Sequence, residues 1–368
     1  MSKFVKLSSI AELTVGFVGT MAKHYEDEGI PFLRSLNIKP FKIISDDMKY
    51  VSAEFSNSLS KSILHKGDVV IVRTGIPGTC CVVPAEYDGC NCSDVVIVHP
   101  NTELVNPHYL AAYINFWGQR QIQNNKVGAI QQNFNVHSAE EMLIFLPDIT
   151  EQEKIAKTIV ALNGKIENNF SVCVELEAMA KTLYDYWFTQ FDFPNAVGKP
   201  YRSSGGEMEW NEQLKREIPK GWDIGNLYAI ADPINGLACQ KHRPKENEKA
   251  LPVVKIKEMH EGITEETELV SVNIPEKHKI FDGDILFSWS ATLEVMYWFG
   301  GNAGLNQHIF KVLPINGFAK EYVYHQFSAY VINFVKMAEA RKTTMGHITT
   351  DHLEQSRIVL PPAKIVQA

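Results

Sequence analysis

The feature that most constrains the fold of this chain is an internal repeat. Lys66-Gly67-Asp68, followed by the apolar run 69–72, recurs as Asp282-Gly283-Asp284 followed by the run 285–288, at an offset of 283 − 67 = 216. Each copy combines a turn with a short run of β-branched and bulky residues, which is typical of a buried strand. A chain that repeats such a pattern predicts two homologous domains.

The repeat extends beyond these strands. In each half a helical segment is followed by a polar loop and then by a brief strand that ends in proline. Helices and short strands therefore mix within each half, and the predicted fold class is α+β. The predicted helices are 107–125 and 319–340, the loops 128–133 and 342–347, and the strands 143–147 and 357–361.

A long helical segment separates the two halves. Thr150 and Glu153 have the spacing of a capping box, which predicts that the helix begins there. Apolar residues then recur at alternating spacings of four and three, the pattern of a coiled-coil seam. A helix of about forty residues is roughly 60 Å long. The partner-helix seam comprises Ile155, Ile159, Leu162, Ile166, Leu176 and Leu183.

These patterns divide the chain into five predicted segments. Two similar domains flank the coiled-coil-like helix, and a stretch with Pro, Gly and Ser clusters follows that helix as a linker. The last residues resemble the start of a second long helix that breaks off. The segments are 1–149, the first domain; 150–193, the long helix; 194–217, the linker; 218–361, the second domain; and 362–368, the truncated second helix.

Composition excludes several classes of protein. With 368 residues, 45% of them hydrophobic and 21% charged, the chain is globular rather than disordered. It has neither a bilayer-spanning stretch nor a signal peptide, so we expect a cytoplasmic protein with no membrane contact. Its cysteines and histidines lack metal-ligand spacing, so we predict no metal site. Because the formal net charge is −7, a nucleic-acid-binding face must be a local concentration of charge.

Several stretches resemble the specificity subunit of type I restriction–modification systems, and together they cover essentially the whole chain. The stretches 283–290 and 306–312 are similar to the family's target-recognition domain. Leu146-Pro147-Asp148, which leads into the long helix, is similar to the start of the family's central spacer, and 176–188 resembles its end.

This resemblance implies that two target-recognition domains each read one half of a split site in double-stranded DNA. The family's two antiparallel spacer helices dock modification subunits, which carry the S-adenosylmethionine chemistry, and restriction subunits join the complex indirectly. The specificity subunit is not catalytic, so we expect no cofactor on this chain.

The second spacer helix of the family pattern is represented here only by 362–368. The apolar seam of the long helix would then need a different partner to bury it, because a solitary helix exposes the seam to solvent. A second copy of this chain, a separately encoded fragment and the modification subunits are the alternatives. We expect a self-dimer, since a two-fold antiparallel pair presents the same surface to itself.

Candidate DNA-contacting residues lie in loops beside the predicted strands. Arginine pairs with guanine, and asparagine or glutamine with adenine, at base edges in the major groove. The alternative for the loop residues is a solvated loop, and for Trp289 a place in the core. Residues 306–308 could face DNA, but they are interpreted as a buried polar element. The candidates are Arg73, Thr74, Gln131, Gln132, Asn133, Ser288, Trp289, Ser290, Arg341, Lys342, Thr343 and Thr344.

Two other functions are weighed against DNA recognition. Asn106-Pro107-His108-Tyr109 is similar to the Asn-Pro-Pro-Tyr motif of amino-methyltransferases, which bind a flipped base. However, His108 replaces the second Pro, and Pro107 also suits the first turn of a helix. An adenine methyltransferase would bind S-adenosylmethionine itself, whereas a protein-only coiled-coil adaptor would not bind DNA.

Overall fold

The computed structural model describes residues 3–118, 121, 134–290, 292–340 and 350–366, with side chains for all of these except 338–340. The chain forms two compact units, unit 1 (Met1–Cys173) and unit 2 (Val174–Ala368). Within the described part of the chain, the helices are all too short or too polar to cross a membrane.

Unit 1 combines short strands with helices that follow them. Its strands are β1 (Lys3–Lys6), β2 (Ala11–Val15), β3 (Ile30–Leu33), β4 (Ile38–Lys39), β5 (Lys42–Ile43), β6 (Lys49–Val51), β7 (Val69–Val72), β8 (Cys80–Val82), β9 (Asn91–Cys92), β10 (Val95–Pro100) and β11 (Leu143–Leu146). Its helices are α1 (Ala53–Ser58), α2 (Pro107–Tyr113), which continues as the π-helical turn Ile114–Gly118, α3 (Val136–Glu140) and the first part of α4 (Ile149–Tyr184).

The centre of unit 1 is an antiparallel sheet in the order β2-β10-β7-β8. All four residues of β7 are buried because both faces of the sheet are covered. Val69 and Ile71 pack on the side of Leu110 in α2, whereas Val70 packs on the side of Leu33 in β3. A strand buried on both faces has a continuous apolar sequence rather than an alternating one.

Unit 2 contains the end of α4, which continues as the π-helical turn Asp185–Thr189. Its strands are β12 (Met208–Asn211), β13 (Arg216–Pro219), β14 (Asp223–Gly225), β15 (Ala231–Asn235), β16 (Ala250–Val254), β17 (Leu269–Ser271), β18 (Lys279–Ile280), β19 (Ile285–Ser288), β20 (Glu294–Tyr297), β21 (Ala303–Leu305), β22 (Ile309–Pro314) and β23 (Ile358–Leu360). Its other helices are α5 (Ile256–Glu261), α6 (Lys320–Ala340), α7 (Thr350–Glu354) and α8 (Ala363–Val366).

The topology of unit 2 repeats that of unit 1. Its central sheet has the order β15-β22-β19-β20, the counterpart of β2-β10-β7-β8. The parallel pair β16–β21 matches the parallel pair β3–β9, and the antiparallel pair β14–β23 matches β1–β11. The prediction of two homologous α+β domains joined by a long helix is confirmed.

Helix α4 is capped two residues earlier than the predicted capping box, in which Thr150 was the cap. The cap is Asp148, whose Oδ1 accepts a hydrogen bond from the Glu151 amide (3.0 Å). Gln152 in the first turn is fully buried, and its amide nitrogen donates to the Leu104 and Pro147 carbonyls (3.1 and 2.9 Å). These bonds attach the start of the helix to the body of unit 1.

The predicted seam of α4 is largely open to solvent within the single chain. The exposed fraction ranges from 36% at Ile155 to 63% at Ile166, and Ile159 is half-buried. Val160 and Val172 are also exposed, at 44% and 51%, although they lie off the seam. Apolar exposure of this extent marks a surface that binds a partner.

The segment 194–217, predicted as a linker, is folded. Strands β12 and β13 form an antiparallel hairpin. The ring of Phe193 stacks on Tyr201 (centroids 4.6 Å apart) and on Trp222 (4.9 Å). The linker prediction was therefore wrong, because Tyr201 of this segment packs against a small core to which the flanking residues Phe193 and Trp222 belong.

Candidate nucleic-acid interface

The central sheets of the two units end in the same backbone geometry. In unit 1 the Arg73 amide donates to the Asp94 carbonyl (3.2 Å), and in unit 2 the Trp289 amide donates to the His308 carbonyl (3.3 Å). Each bond joins the residue that follows β7 or β19 to the residue that precedes β10 or β22. We call these surfaces the strand-end sites of unit 1 (Gly16, Arg73 and Asp94) and unit 2 (Gly236, Trp289 and His308).

A glycine completes each strand-end site. The Gly16 amide donates to the Val95 carbonyl (2.9 Å), and the Gly236 amide donates to the Ile309 carbonyl (3.0 Å). A Cβ atom on Gly236 would lie 2.1 Å from the Asn306 carbonyl oxygen, and one on Gly16 would lie 2.9 Å from the Cys92 carbonyl oxygen. Only glycine permits so close a backbone approach. The two units therefore share this framework down to individual hydrogen bonds.

In unit 1 the predicted DNA-binding residue Arg73 has an anchoring contact. Its Nε donates to the Phe134 carbonyl (3.2 Å), and its own carbonyl accepts from the Phe134 amide (3.2 Å). The half-buried Arg73 thus holds Phe134 at the end of β7. Residues 131–133 immediately precede Phe134 in the sequence, but the predicted Gln131, Gln132 and Asn133 lie outside the described residues.

Thr74 begins the loop between β7 and β8 and is half-buried. The neighbouring Gly75 has a positive φ of 83°, and Ile76 at the loop tip is 70% exposed. Thr74 is therefore next to the strand-end site, on a loop that presents an apolar side chain to solvent.

In unit 2 the predicted residue Trp289 belongs partly to the core and partly to the surface. Its half-buried ring lies 6.1 Å from the Phe310 ring and 5.4 Å from the His308 ring, measured between centroids. Its indole Nε1 donates to the Asn235 Oδ1 (3.2 Å). The structure thus brings an aromatic ring, an imidazole and an amide together at one end of the sheet.

The predicted DNA contact of Ser288 is not supported. Its side chain is only 1% exposed, and its hydroxyl donates to the Ser290 carbonyl (3.3 Å). A serine this buried at the end of a core strand does not reach a base edge. Ser290, by contrast, is half-buried, and the predicted Arg341, Lys342, Thr343 and Thr344 lie outside the described residues.

Comparison with known proteins identifies the family. The family model of the type I restriction modification DNA specificity domain matches residues 2–176 and again residues 219–368. The chain belongs to this family. Its two copies of the specificity domain correspond to the two units and to the internal repeat of the sequence.

Two curated relatives carry the same description. The specificity subunit of the type I restriction enzyme MjaIX from Methanocaldococcus jannaschii is 26% identical over 62% of this chain, and the aligned part covers 52% of that protein. The specificity subunit of the type I restriction enzyme HindI from Haemophilus influenzae is 21% identical over 86% of this chain and 83% of that protein. The chain thus spans about half the length of the first relative.

A solved structure shares the fold. The S subunit of a type I restriction–modification system from M. genitalium matches with a TM-score of 0.56 and 14% sequence identity, over 100% of this chain and 87% of that one. At this identity the likeness extends to the fold alone.

The second specificity domain has polar residues at its strand-end site that were not among the predicted DNA contacts. The segment 306–308 was interpreted as buried, and Asn306 is indeed only 6% exposed. Gln307 and His308 are half-buried, however, and Asn235 is exposed. This group was missed because Asn235 is 72 or 73 positions from Gln307 and His308, and only the pairing of β15 with β22 brings them together.

A cationic stretch lies near this site. Lys241, His242, Arg243 and Lys245 are all exposed, and their spacing in the sequence was a usable signal of a basic patch. His278 connects the stretch to the strand-end site, because its Nδ1 lies 3.0 Å from the Asn235 carbonyl oxygen. Burial lowers the pKa of His278, and Lys277 and His242 lower it further.

Two cations of the first specificity domain are instead paired with an acidic residue. Lys49 and Arg34 both pair with Asp47, at 2.8 Å each, and these bonds hold the pKa of that carboxyl at about 2. Asp94 adds another carboxylate to this side of the unit. The two strand-end sites therefore differ in local charge as well as in side chains.

The residues that resemble a methyltransferase motif form a helix cap. The Asn106 Oδ1 accepts from the amides of His108 (3.0 Å) and Tyr109 (3.1 Å), and Pro107 is the first residue of α2. The amide oxygen that would accept from a target amine is therefore used to cap the helix.

Proposed function

We propose that this chain is the specificity subunit of a type I restriction–modification complex and that each unit reads one half of a bipartite DNA site. The observation that carries the proposal is the pair of strand-end sites, which share their backbone hydrogen bonds but differ in side chains. A common framework with different side chains is what two readers of different half-sites require.

In this proposal unit 2 reads bases through the Asn235, Gln307 and Trp289 group. Amide side chains suit adenine, and the neighbouring Lys241 and Arg243 suit phosphate oxygens. Because the Asn235 Oδ1 accepts from Trp289, base contact by Asn235 requires that bond to open or the amide nitrogen to be used.

In unit 1 the reader is the loop that Arg73 anchors through Phe134. Gln131, Gln132 and Asn133 would contact bases, and Thr74 would contact the backbone beside them. In unit 2, Ser290 and the loop Arg341, Lys342, Thr343 and Thr344 would add base and phosphate contacts. Lys342 contributes mainly to affinity, because a lysine binds phosphate as a point charge.

The test is selection of bound sequences from random duplex DNA by the complex reconstituted with its modification subunits. We expect two short specified segments separated by a non-specific spacer. Affinity should also fall steeply with salt, because phosphate contacts release counterions. Binding that is independent of both sequence and salt would contradict the proposal and favour a protein-only adaptor.

We further propose that α4 is the docking surface for modification subunits, with restriction subunits joining indirectly. Val160 and Val172, exposed and off the seam, would lie in this interface. The S-adenosylmethionine chemistry then belongs to the modification subunits, and this chain is not catalytic and binds no cofactor of its own. Isothermal titration of the isolated chain with S-adenosylmethionine should give no signal. Stoichiometric binding would favour the methyltransferase alternative.

The seam of α4 would pair with the same seam in a second copy of the chain. Its side chains are 36–63% exposed in the single chain, apart from Ile159, and an antiparallel two-fold pair would bury them. Ile166→Glu should therefore convert a dimer into a monomer in light scattering. Val172→Glu is the matched control, because it lies about 120° around the helix from Ile166 and should leave the dimer intact. A wild-type monomer at all concentrations would contradict self-pairing.

A further inference from the structure

Two histidines and an aspartate meet in unit 1, at the opposite end of the central sheet from the strand-end site. The His99 Nδ1 lies 2.7 Å from the Asp68 Oδ1, and the His65 Nδ1 lies 3.8 Å from the Asp68 Oδ2. One ligand atom from each residue lies within 4.8 Å of the others. Among the residues that the structure describes, this is the one such group of three. This group was not predicted from the sequence, because His65 and His99 are far apart along the chain.

The turn before β7 positions two of the three side chains. The Asp68 amide donates to the His65 carbonyl (3.0 Å), and the His65 amide donates back to the Asp68 Oδ2 (2.7 Å). Gly67 occupies the turn position with a positive φ of 94°. The third side chain, His99, lies on β10 one residue beyond the pair Val98–Val69. The carboxylate is therefore held in place before any ligand binds.

Unit 2 shows that the turn does not need the histidines. There the Phe281 amide donates to the Asp284 Oδ2 (2.9 Å), as the His65 amide does to Asp68. The Asp284 carboxylate pairs with the Lys311 Nζ (2.8 Å). The position equivalent to His99 is Leu313, since Pro100 and Pro314 occupy matching register positions. Unit 2 thus keeps the aspartate turn with a lysine partner, while unit 1 surrounds it with two imidazoles.

We propose that His65, Asp68 and His99 bind a divalent transition-metal ion of the zinc type. Zinc takes imidazole nitrogen and carboxylate oxygen at about 2.0–2.2 Å, so tetrahedral ligand atoms lie roughly 3.3 Å apart. The observed separations of 2.7 and 3.8 Å lie on either side of that value. His65 is 66% exposed and His99 is 34% exposed, so the ion can enter from solvent and keep water in its remaining position.

The bound ion would clamp the turn before β7 to the neighbouring strand β10. Because it binds the folded state only, it should raise the melting temperature of unit 1. Glu12 lies directly opposite His99 on β2, where its carboxylate adds negative charge beside the site.

The experiment is titration of the full chain, in metal-free buffer, with Zn²⁺ by calorimetry and with Co²⁺ by visible absorption. We expect one ion per chain and a Co²⁺ spectrum typical of tetrahedral nitrogen and oxygen ligands. His65→Phe and His99→Leu install the residues that unit 2 has at these positions, so both variants are designed to fold. Each should weaken binding by about 100-fold or more, since even outer-shell changes cost 10- to 100-fold.

His137→Ala is the matched control. The His137 Nδ1 lies 3.7 Å from Glu140, but its side chain is 81% exposed, and within the described structure it belongs to no group of three metal-ligating side chains. This variant should bind Zn²⁺ like the wild type. Binding that survives in the His65→Phe/His99→Leu double variant would overturn the proposal, because the ion would then be held elsewhere. Wild-type binding detectable only at millimolar zinc would overturn it equally.

Discussion

The two units show how one framework accommodates two different surfaces. The backbones of Arg73 and Asp94 and of Trp289 and His308 make the same hydrogen bond, yet the first pair carries charged side chains and the second pair aromatic ones. The same contrast appears at the other end of the sheet, where Asp68 meets His99 in unit 1 and its counterpart Asp284 meets a lysine in unit 2. The comparison teaches that hydrogen bonds and glycines preserve the repeat, while side chains at the sheet ends diverge.

The largest expected effect comes from the buried ion pair of unit 2. Lys311 is 9% exposed at its side chain and lies 2.8 Å from Asp284. Lys311→Met would leave the carboxylate buried without its partner, which costs about 3–5 kcal/mol. His99→Leu in unit 1 should cost less, because His99 is 34% exposed and Asp68 keeps a second imidazole, that of His65, 3.8 Å away. Urea unfolding of both variants measures the difference, and equal losses would contradict it.

Substitution of the glycines at the strand-end sites should cause the next largest loss of stability. Gly236→Ala places a Cβ 2.1 Å from a backbone oxygen, whereas Gly16→Ala places one at 2.9 Å. Overpacking of this kind costs about 1–3 kcal/mol, and we expect the larger loss at Gly236. The free energy of unfolding from urea titration provides the check. If Gly236→Ala were neutral, the close approach of Gly236 to the Asn306 carbonyl would be wrong.

A comparable effect on recognition is expected from Asn235→Ala. Loss of an amide that reads a base costs about 1–3 kcal/mol of discrimination at one position. Sequence selection should show relaxed preference in only the half-site that unit 2 reads. Gln213→Ala, in the exposed turn between β12 and β13, is the control and should leave both halves unchanged. Relaxation of both halves by Asn235→Ala would refute independent reading.

Smaller changes are expected from the cationic stretch of unit 2. Lys241→Ala and Arg243→Ala should each weaken binding to all sequences alike and reduce the salt slope by about one. In unit 1, Lys49→Ala should change the salt slope less, since Lys49 is paired with Asp47. Fluorescence anisotropy over a salt series distinguishes these outcomes. A change in sequence preference without a change in slope would argue against phosphate contact.

The smallest expected effect is a difference in cysteine reactivity, which reports local unfolding of each unit. Burial raises the pKa of the Cys81 thiol to about 12 and that of Cys239 in unit 2 to about 11, whereas Cys173 is exposed. A native chain should therefore react with a thiol reagent at Cys173 before it reacts at Cys81 or Cys239. Mass spectrometry of labelled peptides then shows which unit opens first in urea. Rapid native labelling of Cys81 would contradict the packing of β8.

The architecture could be predicted from the sequence because the repeat consists of local patterns, a turn followed by an apolar strand. The aspartate turns at Asp68 and Asp284 and the apolar strands that follow them are visible without any structure. Only some residues of the strand-end sites were predicted. Arg73 and Trp289 directly follow strands that the sequence reveals, whereas Asn235 reaches Trp289 only through pairing between strands that are distant in the sequence. The folded segment 194–217 was missed because its core depends on Tyr201 meeting Phe193 and Trp222, which composition does not reveal.

We propose that each unit recognises its half-site independently of the other unit. The most direct measurement is the motif methylated in cells that express the modification subunits with a chain whose residues 1–149 come from another specificity subunit of known site. One half of the methylated motif should change to that of the donor, while the other half should keep its wild-type sequence. If both halves changed, or neither did, independent recognition by the two units would be contradicted.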